Sequence, residues 1–172
     1  IERHARTIVA TFAGHTHMDE FRLIGRNGRT DGFVVHTPGI SPIFGQNPGF
    51  HVYTYGRDGQ LIDRDTWGAE DLSIANAFVG PTWRRTYRFS ELWKVPAIDA
   101  SSLTALDRQI ANDPQARRHW FSTYPVGRIA TWRVPDASQL PPTTFNAYHC
   151  AIGRIVADEY RDCLCGSEPV LN

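Results

Sequence analysis

The chain is organised around one stretch, TFAGHTHMDEF at residues 11–21. At its centre, Gly14-His15-Thr16-His17 places two imidazoles one residue apart. Neutral imidazole nitrogen is the commonest protein donor to zinc and similar ions, so the two histidines are a candidate pair of metal ligands. The pattern alone is weakly specific, because many such pairs are surface histidines that bind nothing.

The residues before the histidines predict a strand. Residues 8–13, IVATFA, form a short apolar run that is β-branched at its start, as in a strand covered on both faces. Gly14 would end this strand, because glycine lets the backbone turn sharply. We therefore expect His15 and His17 to project from a loop at the end of the strand, where rigid scaffolds often carry their chemistry.

Further motifs follow the histidines in a fixed order. They are Asp19-Glu20-Phe21, Pro38, Ser41-Pro42 and the sequence QNPGF at 46–50, which leads into His51-Val52-Tyr53. In this order and spacing the chain resembles the calcineurin-like metallophosphoesterases, and among them the acid sphingomyelinase-like phosphodiesterases. The resemblance covers roughly residues 1–95 well and the remainder weakly.

This resemblance implies a fold and a chemistry. It implies an α/β metallophosphoesterase, of which this chain would be an α+β portion: the C-terminal part of the β-sandwich followed by a small helical lobe. That family holds two divalent metal ions, zinc in the first place with iron or manganese as alternatives, and a metal-activated water hydrolyses a phosphoric ester. His15 and His17 match the histidine motif of the family, so each would be a ligand of one ion.

Other ligand blocks of the family are missing from the sequence. The family has Asp-x-His, Gly-Asp, Asn-His and isolated histidine blocks upstream of its Gly-His-x-His motif, and no such block precedes Gly14. We therefore expect a C-terminal segment whose partner is the missing N-terminal part of the same enzyme. Because zinc needs three or four protein ligands, we expect the segment alone to be inactive. The substrate would be a sphingomyelin-like lipid, a nucleotide or a related phosphate ester.

Two acidic residues follow the histidine pair and have two interpretations. Asp19 and Glu20 could each accept the second ring N–H of a metal-bound histidine and so fix its tautomer. They could equally be a solvated acidic pair at the start of a strand. Asn47 is predicted to form a turn rather than a substrate contact, because the following proline and glycine set the backbone angles.

Three cysteines, Cys150, Cys163 and Cys165, lie near the C-terminus. In a reducing compartment all would be free thiols, whereas in an exported protein one pair would close. The spacing of Cys150 and Cys163 resembles a C-terminal bridge of the sphingomyelinases. An unbroken helix would hold these two residues about 20 Å apart, so the bridge requires a helix break that the sequence does not signal.

Composition and charge exclude several classes of function. The 18 basic and 18 acidic residues cancel, so no long-range field favours nucleic acid or an anionic membrane surface. No apolar run approaches the roughly 18 residues that a membrane span needs, and we therefore predict no transmembrane segment. The family resemblance, rather than composition, implies an extracellular, periplasmic or lysosome-like location.

The remaining pattern predicts strands first and helices afterwards. We expect strands at residues 20–24 and 32–37 around Asn27-Gly28, and at 51–55 and 60–66 around Asp58-Gly59. The sheet would end near Trp67-Gly68, which divides the chain into a sheet unit, 1–68, and a helical lobe, 69–172. The predicted helices are 69–78, one capped by Ser101 or Ser102, one starting at Asp113-Pro114, and one continuous apolar stripe over 145–160.

The other histidines and the aromatic clusters have ordinary interpretations. His36, His51, His119 and His149 lack partner spacing and are predicted to be surface or interface residues. Two aromatic clusters could line a lipid-facing groove, but core packing is favoured because aromatic side chains bury large areas. The clusters are Trp83, Tyr87, Phe89 and Trp93, and Trp120, Phe121 and Tyr124.

Two hypotheses for function remain at the level of sequence. In the first, the chain supplies two ligands to a two-metal phosphoesterase site. In the second, it is a non-catalytic packing or partner-binding lobe of a degenerate relative. If Asp-x-His, Gly-Asp and Asn-His blocks lie upstream of this chain, the first hypothesis is supported.

Overall fold

The computed structural model describes residues 2–5, 7–70, 72, 75, 78–126 and 142–166. These residues form an α+β fold, as predicted, in which two three-stranded sheets are followed by helices. After a short 3-10 helix, Glu2–His4, the strands are β1 (Thr11–Ala13), β2 (Glu20–Arg26), β3 (Arg29–His36), β4 (Gly49–Tyr55), β5 (Leu61–Glu70) and β6 (Thr82–Arg88). The helices are α1 (Phe89–Trp93), α2 (Ala100–Asn112), α3 (Pro114–Thr123), α4 (Pro142–Gly153) and α5 (Ala157–Leu164).

The first sheet has the strand order β1-β3-β2. Strands β2 and β3 form the predicted hairpin, and its turn residues Asn27 and Gly28 have φ values of 52° and 75°. Positive φ at both central residues is what a tight hairpin turn of this twist requires. Strand β1 runs parallel to β3, with Ala13 opposite His36. This pairing brings the ends of β1 and β3 to the same edge of the sheet.

The second sheet has the strand order β4-β5-β6, and both pairs are antiparallel. The prediction that the sheet ends near Trp67 is wrong, because β5 continues to Glu70 and is followed by β6. The predicted division at residue 68 therefore falls inside β5. The predicted helix at 69–78 begins on residues of β5, and none of the described residues in that range is helical. The other residues of that range, 71, 73, 74, 76 and 77, lie outside the described residues.

Helices α2 and α3 begin on aspartate caps. Asp99, not Ser101 or Ser102 as predicted, caps α2 by accepting a bond from the N–H of Ser102 at 2.7 Å. Asp113 caps α3, with Pro114 in its first turn, as predicted. Both caps place an acidic oxygen on a backbone N–H that has no partner within the helix.

The predicted continuous helix over 145–160 is wrong, because residues 154–156 separate α4 from α5. The break turns α5 back so that Cys150 and Cys163 form a disulfide, with Cα atoms 5.9 Å apart. Tyr160 donates a bond to the backbone carbonyl of Ala147, which also joins the two helices. Cys165 is free and exposed.

The core lies between the first sheet and the helices that follow. Apolar side chains of β2 and β3 pack against buried side chains of α2, α3 and α4. The predicted core packing is confirmed for Phe89, Trp93, Trp120, Phe121 and Tyr124, which are all buried. Among the described residues, no helix is long and apolar enough to cross a membrane.

Candidate metal centre

The two histidines of the sequence motif lie in the loop between β1 and β2, which we call the GHTH loop, residues 14–19. His15 has a φ of 87° and His17 a φ of 62°, whereas the φ of Gly14 is not positive. Gly14 follows the last residue of β1, as predicted, but the left-handed backbone angles of the loop are those of the two histidines. Non-glycine residues in this left-handed region cost energy and cluster at functional sites.

The ring of His17 is held by the loop between β3 and β4, residues 37–48, which we call the 37–48 loop. Nδ1 of His17 lies 2.9 Å from the backbone carbonyl oxygen of Ser41. The ring of Phe44 meets the His17 ring edge-on, with centroids 5.2 Å apart. Because a carbonyl oxygen can only accept, this contact requires Nδ1 to be the donor, and in the neutral ring it leaves Nε2 as the nitrogen that could bind a metal ion.

His15 is exposed and lies close to His36. Nδ1 of His36 is 3.4 Å from the hydroxyl of Thr16 and 3.7 Å from Oε1 of Glu20. Burial lowers the pKa of His36, with the charges of Arg22 and His15 acting in the same direction, and this outweighs the opposing effect of Glu20. His36 is thus a partly buried imidazole beside the GHTH loop, whereas a surface or interface histidine was predicted.

Asp19 does not bond to either histidine of the GHTH loop. Its side chain is fully buried, and Oδ1 lies 2.8 Å from Nη2 of Arg64 and 3.3 Å from Nε2 of His51. Its Oδ2 accepts bonds from the hydroxyls of Thr66 at 3.0 Å and Tyr87 at 2.6 Å. Burial raises the pKa of Asp19, but the charges and bonds of these partners outweigh burial and hold it well below its usual value.

Glu20 also has other partners. Its Oε2 accepts a bond from Nη2 of Arg22 at 2.8 Å, and its Oε1 faces His36. Within the described residues, the partner of the ring N–H of His17 is therefore the Ser41 carbonyl rather than Asp19 or Glu20. Both acidic side chains are almost completely buried, so the alternative of a solvated acidic pair is also wrong.

His51 was predicted to be a surface or interface histidine, but its side chain has an exposure of 0%. Nη1 of Arg64 lies 2.8 Å from its Nε2, and the hydroxyl of Tyr53 lies 2.9 Å from its Nδ1. Burial and the charge of Arg64 lower the pKa of His51, although Asp19 opposes them. Burial beside Asp19 also raises the pKa of Tyr87, so Tyr87 donates its proton to the carboxylate.

Asn47 has a structural position, but it lies outside the turn, which falls at residues 43–44. It is buried, and its backbone N–H donates to the carbonyl of Pro125 at 3.1 Å. Gly49 packs directly against the side chain of Val126. A Cβ atom added to Gly49 would lie 2.5 Å from Cγ1 of Val126. These contacts anchor the end of the 37–48 loop to the segment that follows α3.

The donor set fits part of a metal centre. In the described part of the chain, no group of three or more His, Cys, Asp or Glu side chains has the geometry to hold a metal ion. Two imidazoles, one with its second nitrogen fixed by a carbonyl, match the ligand chemistry of zinc but leave its coordination incomplete. The residues present therefore fit two ligands of a larger site.

Comparison with known proteins finds several that are similar to the chain. No protein-family model matches the sequence. Acid sphingomyelinase-like phosphodiesterase 3b of Mus musculus is 29% identical over 184 residues, which covers 96% of this chain. Sphingomyelin phosphodiesterase B of Dictyostelium discoideum is 30% identical over 60% of the chain, and cyclic GMP-AMP phosphodiesterase SMPDL3A of Mus musculus is 28% identical over 94%. Over most of its length the chain is similar to the acid sphingomyelinase-like phosphodiesterases.

This sphingomyelinase-like chain spans only part of the length of its relatives. It covers 37% of the mouse phosphodiesterase 3b, 37% of the mouse cyclic GMP-AMP phosphodiesterase and 18% of the Dictyostelium protein. Because most of each relative lies outside this match, the relatives carry residues that this chain does not contain.

Sequence reasoning found the two histidines of this sphingomyelinase-like chain but missed their supporting residues. Ser41 lies 24 residues from His17, and its contribution is a backbone carbonyl that no side-chain motif reveals. His36 is placed beside the GHTH loop by the parallel pairing of β1 with β3. Gln46 is fully buried, and the burial of a loop glutamine is visible only in the structure.

Proposed function

We propose that the chain is the C-terminal segment of a metal-dependent phosphodiesterase in which His15 and His17 are metal ligands. The observation that carries the proposal is the GHTH loop itself. Two imidazoles stand one residue apart on left-handed backbone, and the Nδ1 of one is bonded to a carbonyl so that its Nε2 is available. Strain of this kind persists where the surroundings over-determine it, and it is typical of ligand-binding sites.

Two divalent ions, with zinc as the first choice and iron or manganese as alternatives, would activate a water and neutralise the phosphoryl charge. The residues of this chain would bind the ions and orient the side chains that bind them. His17 would be presented by the 37–48 loop, while His15, which is more exposed, would serve the second ion. The ion pair of Asp19 and Arg64 would fix the GHTH loop against the second sheet.

The substrate class follows from what the relatives have in common. Their names include sphingomyelin and cyclic GMP-AMP, and both compounds are phosphodiesters. In this chain, Ile40, Ile43 and Phe44 are exposed by 60%, 68% and 52%, and Phe44 touches the ring of His17. Large exposed apolar side chains in the loop that contacts His17 favour a substrate with an apolar part, so we propose a sphingomyelin-like lipid before a nucleotide.

The other ligands would come from an upstream part of the same enzyme. Strand β1 is the outer strand of the first sheet, and its flank exposes Ile8, Val9 and Phe12 by 37%, 48% and 43%. An apolar outer strand with unpaired backbone groups is suited to pairing with another strand. The upstream part would therefore extend the sheet at β1 and bring its ligands to the GHTH loop.

The test compares the chain alone with a longer protein that carries the upstream part. Both are assayed on sphingomyelin in detergent micelles, on cyclic GMP-AMP and on bis(p-nitrophenyl) phosphate. We expect hydrolysis only by the longer protein, its loss on treatment with EDTA and its return with Zn²⁺. A longer protein that hydrolyses none of these esters with any divalent metal would favour the non-catalytic packing or partner-binding lobe instead.

A further inference from the structure

We propose that Gln46 is a positioning residue that sets the tautomer of His17, with the proton on Nδ1 and the lone pair on Nε2. The inference rests on the proposed metal site and adds to it a residue that the metal does not touch. Gln46 has an exposure of 0%, which is unusual for a neutral polar side chain in a loop. A buried amide of this kind must have its bonds satisfied by specific partners.

The orientation of the Gln46 amide is fixed by a backbone donor. The N–H of Phe44 donates to Oε1 of Gln46 at 3.2 Å. Because a backbone N–H can only donate, the oxygen of the amide must be on this side. The amide NH₂ is therefore on the other side, where it donates to the carbonyl oxygen of Ser41 at 2.6 Å.

The same carbonyl oxygen accepts the bond from His17. Nδ1 of His17 lies 2.9 Å from the oxygen of Ser41, whereas Nε2 of Gln46 lies 3.5 Å from that Nδ1. The 2.9 Å contact is the shorter, so the two nitrogens converge on one oxygen as two donors; the competing arrangement is the 3.5 Å contact, in which the Gln46 amide would donate to an unprotonated Nδ1. If Nδ1 were unprotonated, its lone pair would face the lone pairs of the carbonyl, and this arrangement is disfavoured in a partly buried site.

The position of the ring is enforced by packing as well. A Cβ on Gly39 would lie 2.5 Å from both Cγ and Nδ1 of His17, so the ring lies directly against this glycine. The N–H of Gly39 also donates to the carbonyl of His17 at 3.1 Å. Gly39 and Phe44 therefore hold the plane of the ring, and Gln46 holds the carbonyl that selects its tautomer.

The first experiment is made on the metal-free, ¹⁵N-labelled 172-residue chain. A two-bond ¹H–¹⁵N correlation spectrum distinguishes the protonated from the unprotonated nitrogen of each histidine ring. For His17 we expect the Nδ1–H tautomer, and for the Gln46→Leu variant a mixture of both tautomers. Gln109→Leu, at an exposed position in α2, is the matched control and should leave the His17 signals unchanged.

The second experiment titrates Zn²⁺ into the same chains and into His17→Ala, and it follows the ring signals of His15 in every chain and those of His17 where that residue is present. Removal of a residue that orients a ligand typically costs 10-fold to 100-fold in metal affinity, and we expect Gln46→Leu to weaken Zn²⁺ binding by about this factor. His17→Ala reports on the metal site itself. If His17→Ala leaves the Zn²⁺ affinity unchanged while the tautomer is as expected, the proposed function fails rather than the assignment of the tautomer.

The positioning role would be overturned by either of two results. The first is a wild-type spectrum in which His17 carries its proton on Nε2. This result is obtained without a variant, so it does not depend on whether a variant folds. The second is a folded Gln46→Leu variant that keeps the wild-type tautomer or the wild-type Zn²⁺ affinity.

Discussion

Asp19 and Arg64 form a buried ion pair in which Oδ1 and Nη2 are 2.8 Å apart. Asp19 directly precedes β2 of the first sheet, and Arg64 lies in β5 of the second. The guanidinium of Arg64 also lies over the ring of Phe89, with its central carbon 4.9 Å from the centroid. The pair therefore joins the two sheets only two residues after His17.

We expect Asp19→Asn to destabilise the chain strongly. The substitution leaves the guanidinium of Arg64 buried without a counter-charge, and breaking a buried pair from one side costs about 3–5 kcal/mol. Urea denaturation followed by circular dichroism measures the loss. Asp31→Asn is the matched control, because Asp31 pairs with Arg29, whose side chain is 76% exposed, and such pairs contribute about 0–1 kcal/mol. An Asp19→Asn variant as stable as the control would show that the ion pair does not hold the sheets together.

The stability of the chain should fall as the pH falls through the range in which a free histidine takes up a proton. The pKa of His51 is lowered by burial and by Arg64, so folded His51 stays neutral where the unfolded chain, with a pKa of about 6.5, binds a proton. The unfolded state then binds more protons, and stability is lost below about pH 6.5. Each such group contributes up to about 1.4 kcal/mol per pH unit.

The measurement compares the pH dependence of the unfolding free energy between pH 7.5 and pH 5. In His51→Gln the slope should be smaller than in the wild type, because one group no longer titrates differently in the two states. His4→Gln, at an exposed histidine, is the control and should keep the wild-type slope. An unchanged slope in His51→Gln would mean that His51 is not held neutral by its surroundings.

The Cys150–Cys163 disulfide should stabilise the helical region. It closes a loop with a sequence separation of 13 residues, and a loop of this size is expected to contribute about 3 kcal/mol by restricting the unfolded chain. Cys163→Ser should lower the unfolding free energy by about 2–4 kcal/mol. Cys165→Ser removes the free, exposed thiol and should change nothing. Equal stabilities of the two variants would contradict this role.

Local signals explain the parts of the fold that the sequence predicts. The Asn27-Gly28 turn and the Asp113-Pro114 cap are set by neighbouring residues, so they can be recognised without knowledge of the fold. Strand β6 depends instead on hydrogen bonds to β5, and its sequence TWRRTYR has no apolar alternation. In the sequence before β6, the spacing of Leu72, Ala75 and Val79 is that of one helical face. This local pattern is the reason why a helix was predicted at residues 69–78.

In the candidate site, too, the features that depend on residues distant in the sequence could not be predicted. His15 and His17 stand in a recognisable motif, whereas the burial of His51 depends on Asp19 and Arg64, which are distant in the sequence. The carbonyl of Ser41 could not be predicted, because every residue has one and only the folded loop brings this one to Nδ1 of His17. Sequence motifs thus locate ligands more readily than the groups that orient them.

The most direct test of the central claim counts bound metal in the longer enzyme that carries this chain and its upstream part. His15→Ala and His17→Ala should each lose metal by elemental analysis, and hydrolysis of bis(p-nitrophenyl) phosphate should fall by more than about 100-fold, because even the loss of an orienting residue costs 10-fold to 100-fold. Thermal stability should change far less than activity, and His119→Ala, outside the GHTH loop, should keep both metal and activity. If both GHTH-loop variants keep their full metal content and near-normal rates, the histidines are not ligands and the account is contradicted.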